Sequence, residues 1–106
     1  MKIDKKDVYT AVEGKFPDPT YAAEINSLTS HCLKLSDEWL SIEENITSKS
    51  RRELRKDLKQ HIMANTNLRD SNKAYFIPSF IWVFLAGQII SWIVRYIIEK
   101  YTNSPE

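Results

Sequence analysis

The sequence predicts an all-α fold: a short N-terminal helix, a long heptad-patterned helix packed on a basic helix, and a single C-terminal transmembrane helix. Three observations predict it. Charge is segregated, since Met1 to Lys73 holds 13 of the 15 Lys and Arg and 12 of the 14 Asp and Glu, whereas the 21 residues from Ala74 to Val94 hold none. Eight apolar residues between Tyr21 and Ile46 recur at alternating spacings of 4 and 3. Capping residues and prolines mark the ends of these stretches. With 106 residues one domain is expected, divided into a cytoplasmic helical region 1–73, a membrane helix 74–101 and a short tail 102–106.

Asp4 and Asp7 stand at the spacing of an N-cap and its third residue ahead of Val8, Ala11 and Val12, with Gly14 where a C-terminal cap belongs. They predict a first helix. Phe16-Pro17-Asp18-Pro19 ends it, because each proline fixes φ, lacks an N–H and disfavours helical geometry in the residue before it.

Pro19 or Thr20 opens the patterned stretch. Ile25, Cys32, Trp39 and Ile46 take heptad position a, and Tyr21, Leu28, Leu35 and Ile42 take d, which predicts a helix–helix seam along one continuous helix. The flanking positions do not alternate Glu with Lys, so no partner is encoded by charge. Trp39 is large for a two-stranded seam and Leu33 and Leu40 widen the stripe, which leaves an intramolecular hairpin and self-association both open.

Thr47-Ser48-Lys49-Ser50 interrupts the pattern, and Ser50-Arg51-Arg52-Glu53 matches a capping box. The helix that follows places Leu54, Leu58 and Ile62 on one side, spaced to fold back antiparallel on the heptad helix. Its other sides are basic: Arg51, Arg52, Arg55, Lys56 and Lys59 stand against two acids in nine residues. Such a helix reads as a solvated face or as one resting on anionic lipid headgroups, at about 1 kcal/mol per Lys or Arg near the surface, with nucleic-acid contact a third reading that no aromatic interleaving supports. Residues 65–72 are polar and predict a hinge.

Ala74 to Val94 spans about 31 Å as a helix, matching a hydrocarbon core of ~30 Å. Pro78 is tolerated near its start, so the helix proper is expected from Pro78 to Tyr101. Tyr75, Phe76 and Trp82 at one end and Trp92, Tyr96 and Tyr101 at the other predict aromatic belts at the two interfaces. A buried helix in a soluble bundle is the competing reading, opposed by supply: residues 1–73 offer too few apolar side chains to cover every side of it. An interfacial helix is opposed by the unbroken apolar run Phe80 to Leu85. Gln88, Ser91, Arg95 and Glu99 recur at 3, 4 and 4, and Gly87 with Ser91 supplies small residues for close approach, so Gly87, Gln88, Ser91 and Arg95 define a face for lateral assembly. Arg95 is expected to snorkel toward the interface and to reach Glu99. Five basic residues in the twenty before the span (Arg55, Lys56, Lys59, Arg69, Lys73) against Arg95 and Lys100 beyond it predict a single-pass protein with a cytoplasmic N-terminus. The start of the chain has no apolar signal region, so tail-anchored, post-translational insertion is expected.

No catalytic, cofactor or metal site is predicted. His31 and Cys32 are adjacent, so their side chains diverge on a helix, and His61 stands alone. Cys32, the one cysteine, excludes an internal disulfide. Glu43-Glu44 and Asp37-Glu38 are sequential surface pairs, two glycines cannot build a phosphate loop, and the sequon Asn45-Ile46-Thr47 would not meet its transferase in the cytoplasm. A net charge of +1 gives no field for nucleic acid.

The expected role is a non-enzymatic, membrane-anchored helical scaffold or accessory subunit whose partners are membrane lipid and a second copy or another membrane protein, with no nucleic acid and no small-molecule substrate. The alternative is a holin-like, lesion-forming protein. A soluble nucleic-acid-binding module would require the tail to be buried. In layout, though not in any motif, the chain resembles small phage and bacterial membrane proteins, holin-associated ones and the membrane-lattice proteins of lipid-containing viruses among them.

Overall fold

Helix-starting and helix-stopping residues set most of the element boundaries. The computed structural model describes residues 3–66 and 79–102, and all regular structure among them is helical. Helix α1 covers Lys5–Lys15, a single 3₁₀ turn covers Pro19–Tyr21, and α2 (Ala22–Leu40), the one-turn α3 (Glu43–Ile46), α4 (Arg51–Ala64) and α5 (Ser79–Tyr101) follow. The expected hinge over 67–72, the basic flank residues Arg69 and Lys73, the ring residues Tyr75 and Phe76, Pro78, and residues 103–106 of the tail lie outside the described residues.

Asp4 caps α1, its carboxylate accepting from the Asp7 N–H at 3.3 Å. The helix runs past Gly14 and stops at Phe16, whose backbone (φ −126°, ψ 71°) has left the helical region that the following proline disfavours. Ser50 caps α4, accepting from the Glu53 N–H at 3.2 Å while its hydroxyl donates to the Glu53 carboxylate at 3.3 Å. Between α3 and α4 the chain turns through Ser48, which holds a left-handed φ of 63°.

The heptad stretch is not one helix. It breaks after Leu40, and Ile42 takes an extended conformation with half its surface exposed. Local side chains cause the break. The Ser41 hydroxyl donates to the Glu38 carbonyl at 2.7 Å and the Asn45 amide donates to the Trp39 carbonyl at 2.8 Å, so carbonyls at the end of α2 bond to side chains instead of to a further turn. Of the expected seam, Ile25, Leu28, Cys32 and Trp39 are buried, Tyr21, Leu35 and Ile46 are half-buried, and Ile42 is exposed. Thr29, Leu33, Ser36 and Leu40 join the buried side, giving the wide stripe of a helix with several neighbours.

Helices α1, α2, α4 and α5 alternate in direction. Lys5 at the start of α1 meets Asp37 near the end of α2 at 3.8 Å. His31 Nε2, in the tautomer that carries its proton, donates to the Asn65 carbonyl at 3.1 Å, setting the end of α4 beside the middle of α2. Arg55 and Glu99 at 3.9 Å align the start of α4 with the end of α5. Helices α2 and α5 touch each other, and each also touches α1 and α4, so the two lie along the short diagonal of the bundle with α1 and α4 in the flanking notches.

The core draws Val8 and Val12 from α1, Leu54, Leu58 and Ile62 from α4, and its largest share from α5, where Trp82, Ala86, Ile89, Ile90, Ile93, Val94, Ile97 and Ile98 are all buried. The apolar helix expected to have lipid as its solvent is therefore packed on one side by its own chain. From Phe80 to Tyr101 it is long and apolar enough to cross a membrane, yet 44% of an 18-residue apolar window within it is buried inside the structure, where α5 touches α1, α2 and α4.

Candidate functional site

Three neighbours cannot surround a helix on every side, and α5 keeps one face open. Phe80, Phe84, Gln88, Ser91, Arg95 and Glu99 follow one another at 4, 4, 3, 4 and 4 residues, which puts them on a single stripe. Phe80 is 76% and Phe84 70% exposed, and Gln88, Arg95 and Glu99 are exposed as well. The polar recurrence read from the sequence as a membrane helix face is one end of this open stripe, and two phenylalanines extend it where an ordinary bundle helix would place polar residues.

On α4, Arg52, Lys56, Lys59 and Met63 are the exposed residues at spacings of 4, 3 and 4, while Arg51 and Arg55 are half-buried. The two stripes run beside each other in opposite directions. Between them lies a groove of about 520 Å³ lined by Lys59 and Met63 of α4 and by Val83, Phe84, Gly87, Gln88, Ser91, Trp92 and Arg95 of α5. Its ends differ in chemistry. Val83 and Phe84 form an apolar end, Met63 stands between, level with Ser91, and Lys59 and Arg95 form a cationic end next to the Arg55–Glu99 pair. Because Glu99 is taken by Arg55, it does not pair with Arg95 as the sequence suggested, and among the described residues neither Lys59 nor Arg95 has an ion-pair partner. Gly87 forms the floor, where an added Cβ would meet nothing within 4 Å.

The far side of α5 is pinned to α1 by a polar cluster that pattern reading did not find. Asp7 Oδ2 accepts from Lys100 Nζ at 2.6 Å, from the Tyr96 hydroxyl at 2.7 Å and from the Tyr101 hydroxyl at 3.1 Å. The hydrogen bonds from Lys100 and then Tyr96 hold the Asp7 carboxyl below the ordinary carboxylate range. Phe16 packs edge-on against Trp92 with ring centroids 6.1 Å apart, and Trp92 stacks on Tyr96 at 5.2 Å. Of the aromatic residues expected at a headgroup level, Trp82 is buried and Trp92, Tyr96 and Tyr101 are half-buried against the core. Rings with one polar edge satisfy either setting, since each offers an apolar body and a hydrogen-bonding tip.

The site residues read from sequence fall into three places. Gly87, Gln88, Ser91 and Arg95 share the groove with Lys59; Arg52 and Lys56 continue the basic stripe on the outer surface; and the buried seam residues of α2 belong to the core. Cys32 is fully buried, and desolvation pushes its thiol up to about 12, far from nucleophile territory. Among the described residues no group of His, Cys, Asp and Glu is arranged to hold a metal. What the arrangement offers is an amphiphilic surface: exposed rings, an apolar channel and cations at one end. No family model matches the chain, and comparisons with curated proteins and with solved structures return no match.

Proposed function

We propose that this chain is a non-enzymatic helical scaffold or accessory subunit that works at a membrane, with α5 as its lipid-contacting element and α1, α2 and α4 as its charged, water-facing module. One observation carries the reading: a 22-residue helix apolar enough to span a bilayer is covered by its own chain on one side only, leaving Phe80, Ile81 and Phe84 exposed. Two arrangements follow physically. In water α1, α2 and α4 sheathe α5. A full single-pass span from Phe80 to Tyr101 requires that sheath to come away, because Lys6, Lys15, Lys34, Glu38 and Arg52 are exposed on it and each Lys or Arg at mid-bilayer costs about 2.5–3.5 kcal/mol. Released, the sheath stays on the cytoplasmic side that the basic flank specifies, and the Gly87/Gln88/Ser91 face is free to meet a second copy.

Fractionation of expressing cells tests this. The full chain is expected in the membrane pellet: resistance to carbonate marks the spanning arrangement, and release by carbonate marks docking through the open face. Recovery in a detergent-free high-speed supernatant, with no flotation on added vesicles, would reject the reading. Release of a trapped dye from those vesicles would move the assignment to the lesion-forming alternative.

A further inference from the structure

We propose that the groove between α4 and α5 is a binding site for a single anionic phospholipid, its acyl chain along Met63, Val83 and Phe84 and its headgroup at Lys59 and Arg95. The proposal rests on the membrane reading above and deepens it by naming the lipid class. A groove of about 520 Å³ falls in the size range of small-ligand sites, roughly 300–1,000 Å³. Its length also suits a lipid, since Phe84 to Arg95 covers about 16 Å along the helix axis.

Charge selects the headgroup. The two cations stand at the same end because α4 and α5 are antiparallel, as the Arg55–Glu99 contact shows. Among the described residues no carboxylate lines the groove, and Glu99, one turn beyond Arg95, faces Arg55. An anion there gains two cations and, beside them, the Ser91 hydroxyl and the Gln88 amide as donors. A zwitterionic headgroup presents the same phosphate but brings its own ammonium to the cationic end, so its net gain there is smaller. At the other end, Phe80 and Ile81 continue the apolar wall beyond Phe84 as exposed side chains, so an acyl chain leaving the groove passes onto apolar surface, as it must if the rest of the lipid stays in a bilayer.

The test is flotation of the full chain on vesicles of phosphatidylcholine alone and of phosphatidylcholine mixed with phosphatidylglycerol. The parent chain is expected to prefer the anionic vesicles. The pair Lys59→Gln and Arg95→Gln is expected to lose that preference by about 30-fold, the equivalent of ~1 kcal/mol for each cation near the surface. The pair Lys6→Gln and Lys15→Gln, which removes the same charge from exposed positions on α1, is expected to keep most of it. At Gly87 an added Cβ meets nothing within 4 Å, so leucine there has room to start into the groove, and it is the better helix former: helicity is expected to be kept while anionic binding falls. Equal losses from the two double substitutions, or unchanged or tighter anionic binding by Gly87→Leu, would overturn the proposal. Equal flotation of the parent chain on both vesicle types would overturn it too while leaving the membrane reading standing; flotation on neither would remove both.

Discussion

Truncating Ile93 to alanine separates a helix packed in a bundle from one that has only lipid around it. Ile93 is fully buried, at the centre of the buried face of α5. The substitution deletes three carbons, about 2.4 kcal/mol of transfer free energy at ~0.8 kcal/mol each. The cavity left behind adds roughly 1 kcal/mol, for a total of about 3 kcal/mol, inside the usual range for such truncations. In a domain of this size each kcal/mol lowers the melting temperature by about 4–8 °C, so a drop of roughly 12–24 °C is expected. Phe84→Ala removes a larger side chain from a position 70% exposed and should change stability by no more than about 0.5 kcal/mol. The assay is thermal melting followed by circular dichroism at 222 nm in detergent-free buffer. Loss of stability from Phe84→Ala equal to that from Ile93→Ala, or no loss from either, would refute the one-sided packing of α5.

Three further outcomes are expected. Ser36 Oγ is buried with no hydrogen-bond partner among the described residues, so Ser36→Ala should raise stability by about 1 kcal/mol, read as a higher melting temperature. Ser48 holds a left-handed backbone that costs a non-glycine residue energy, and Ser48→Gly should gain about 0.5–1 kcal/mol in chemical unfolding. Because Asp7 is held below its unfolded value of about 3.9, its stabilising contribution is complete above that pH and is lost as pH falls through the folded value. Asp7→Asn should therefore flatten the acid limb of a stability–pH profile, and an unchanged limb would show that the cluster with Lys100 and Tyr96 does not hold.

Elements fixed by neighbouring residues could be read directly from the chain. The Asp4 cap, the stop at Phe16-Pro17, the capping box at Ser50 and the buried trio Leu54, Leu58 and Ile62 depend on chemistry within a few positions. The end of α2 was less legible, because Ser41 and Asn45 interrupt a hydrophobic repeat that by spacing alone runs on to Ile46. The surroundings of α5 were least legible. A helix in the middle of a bundle and a helix in a bilayer select the same apolar residues, and what distinguishes them here comes from far away in sequence: Asp7 reaching Tyr96 and Lys100, and Phe16 meeting Trp92. The supply consideration held on one side only. Residues 3–66 bury one face of α5 and leave the stripe from Phe80 to Arg95 open, and there the groove forms. Its polar half was visible from Gln88 onward, but Phe80 and Phe84 were absorbed into the general apolarity of the segment, and the approach of Lys59 depended on the antiparallel run of α4.

The two faces of α5 can be compared most directly by thiol accessibility. In a Cys32→Ala chain, a single cysteine replaces either Phe84, on the open face, or Ala86, two residues on and fully buried. With a water-soluble maleimide in detergent-free buffer, the cysteine at 84 should react at the rate of a free thiol and the one at 86 only after denaturant is added. Equal reactivity, or equal protection, would contradict a helix sheathed on one side and open on the other.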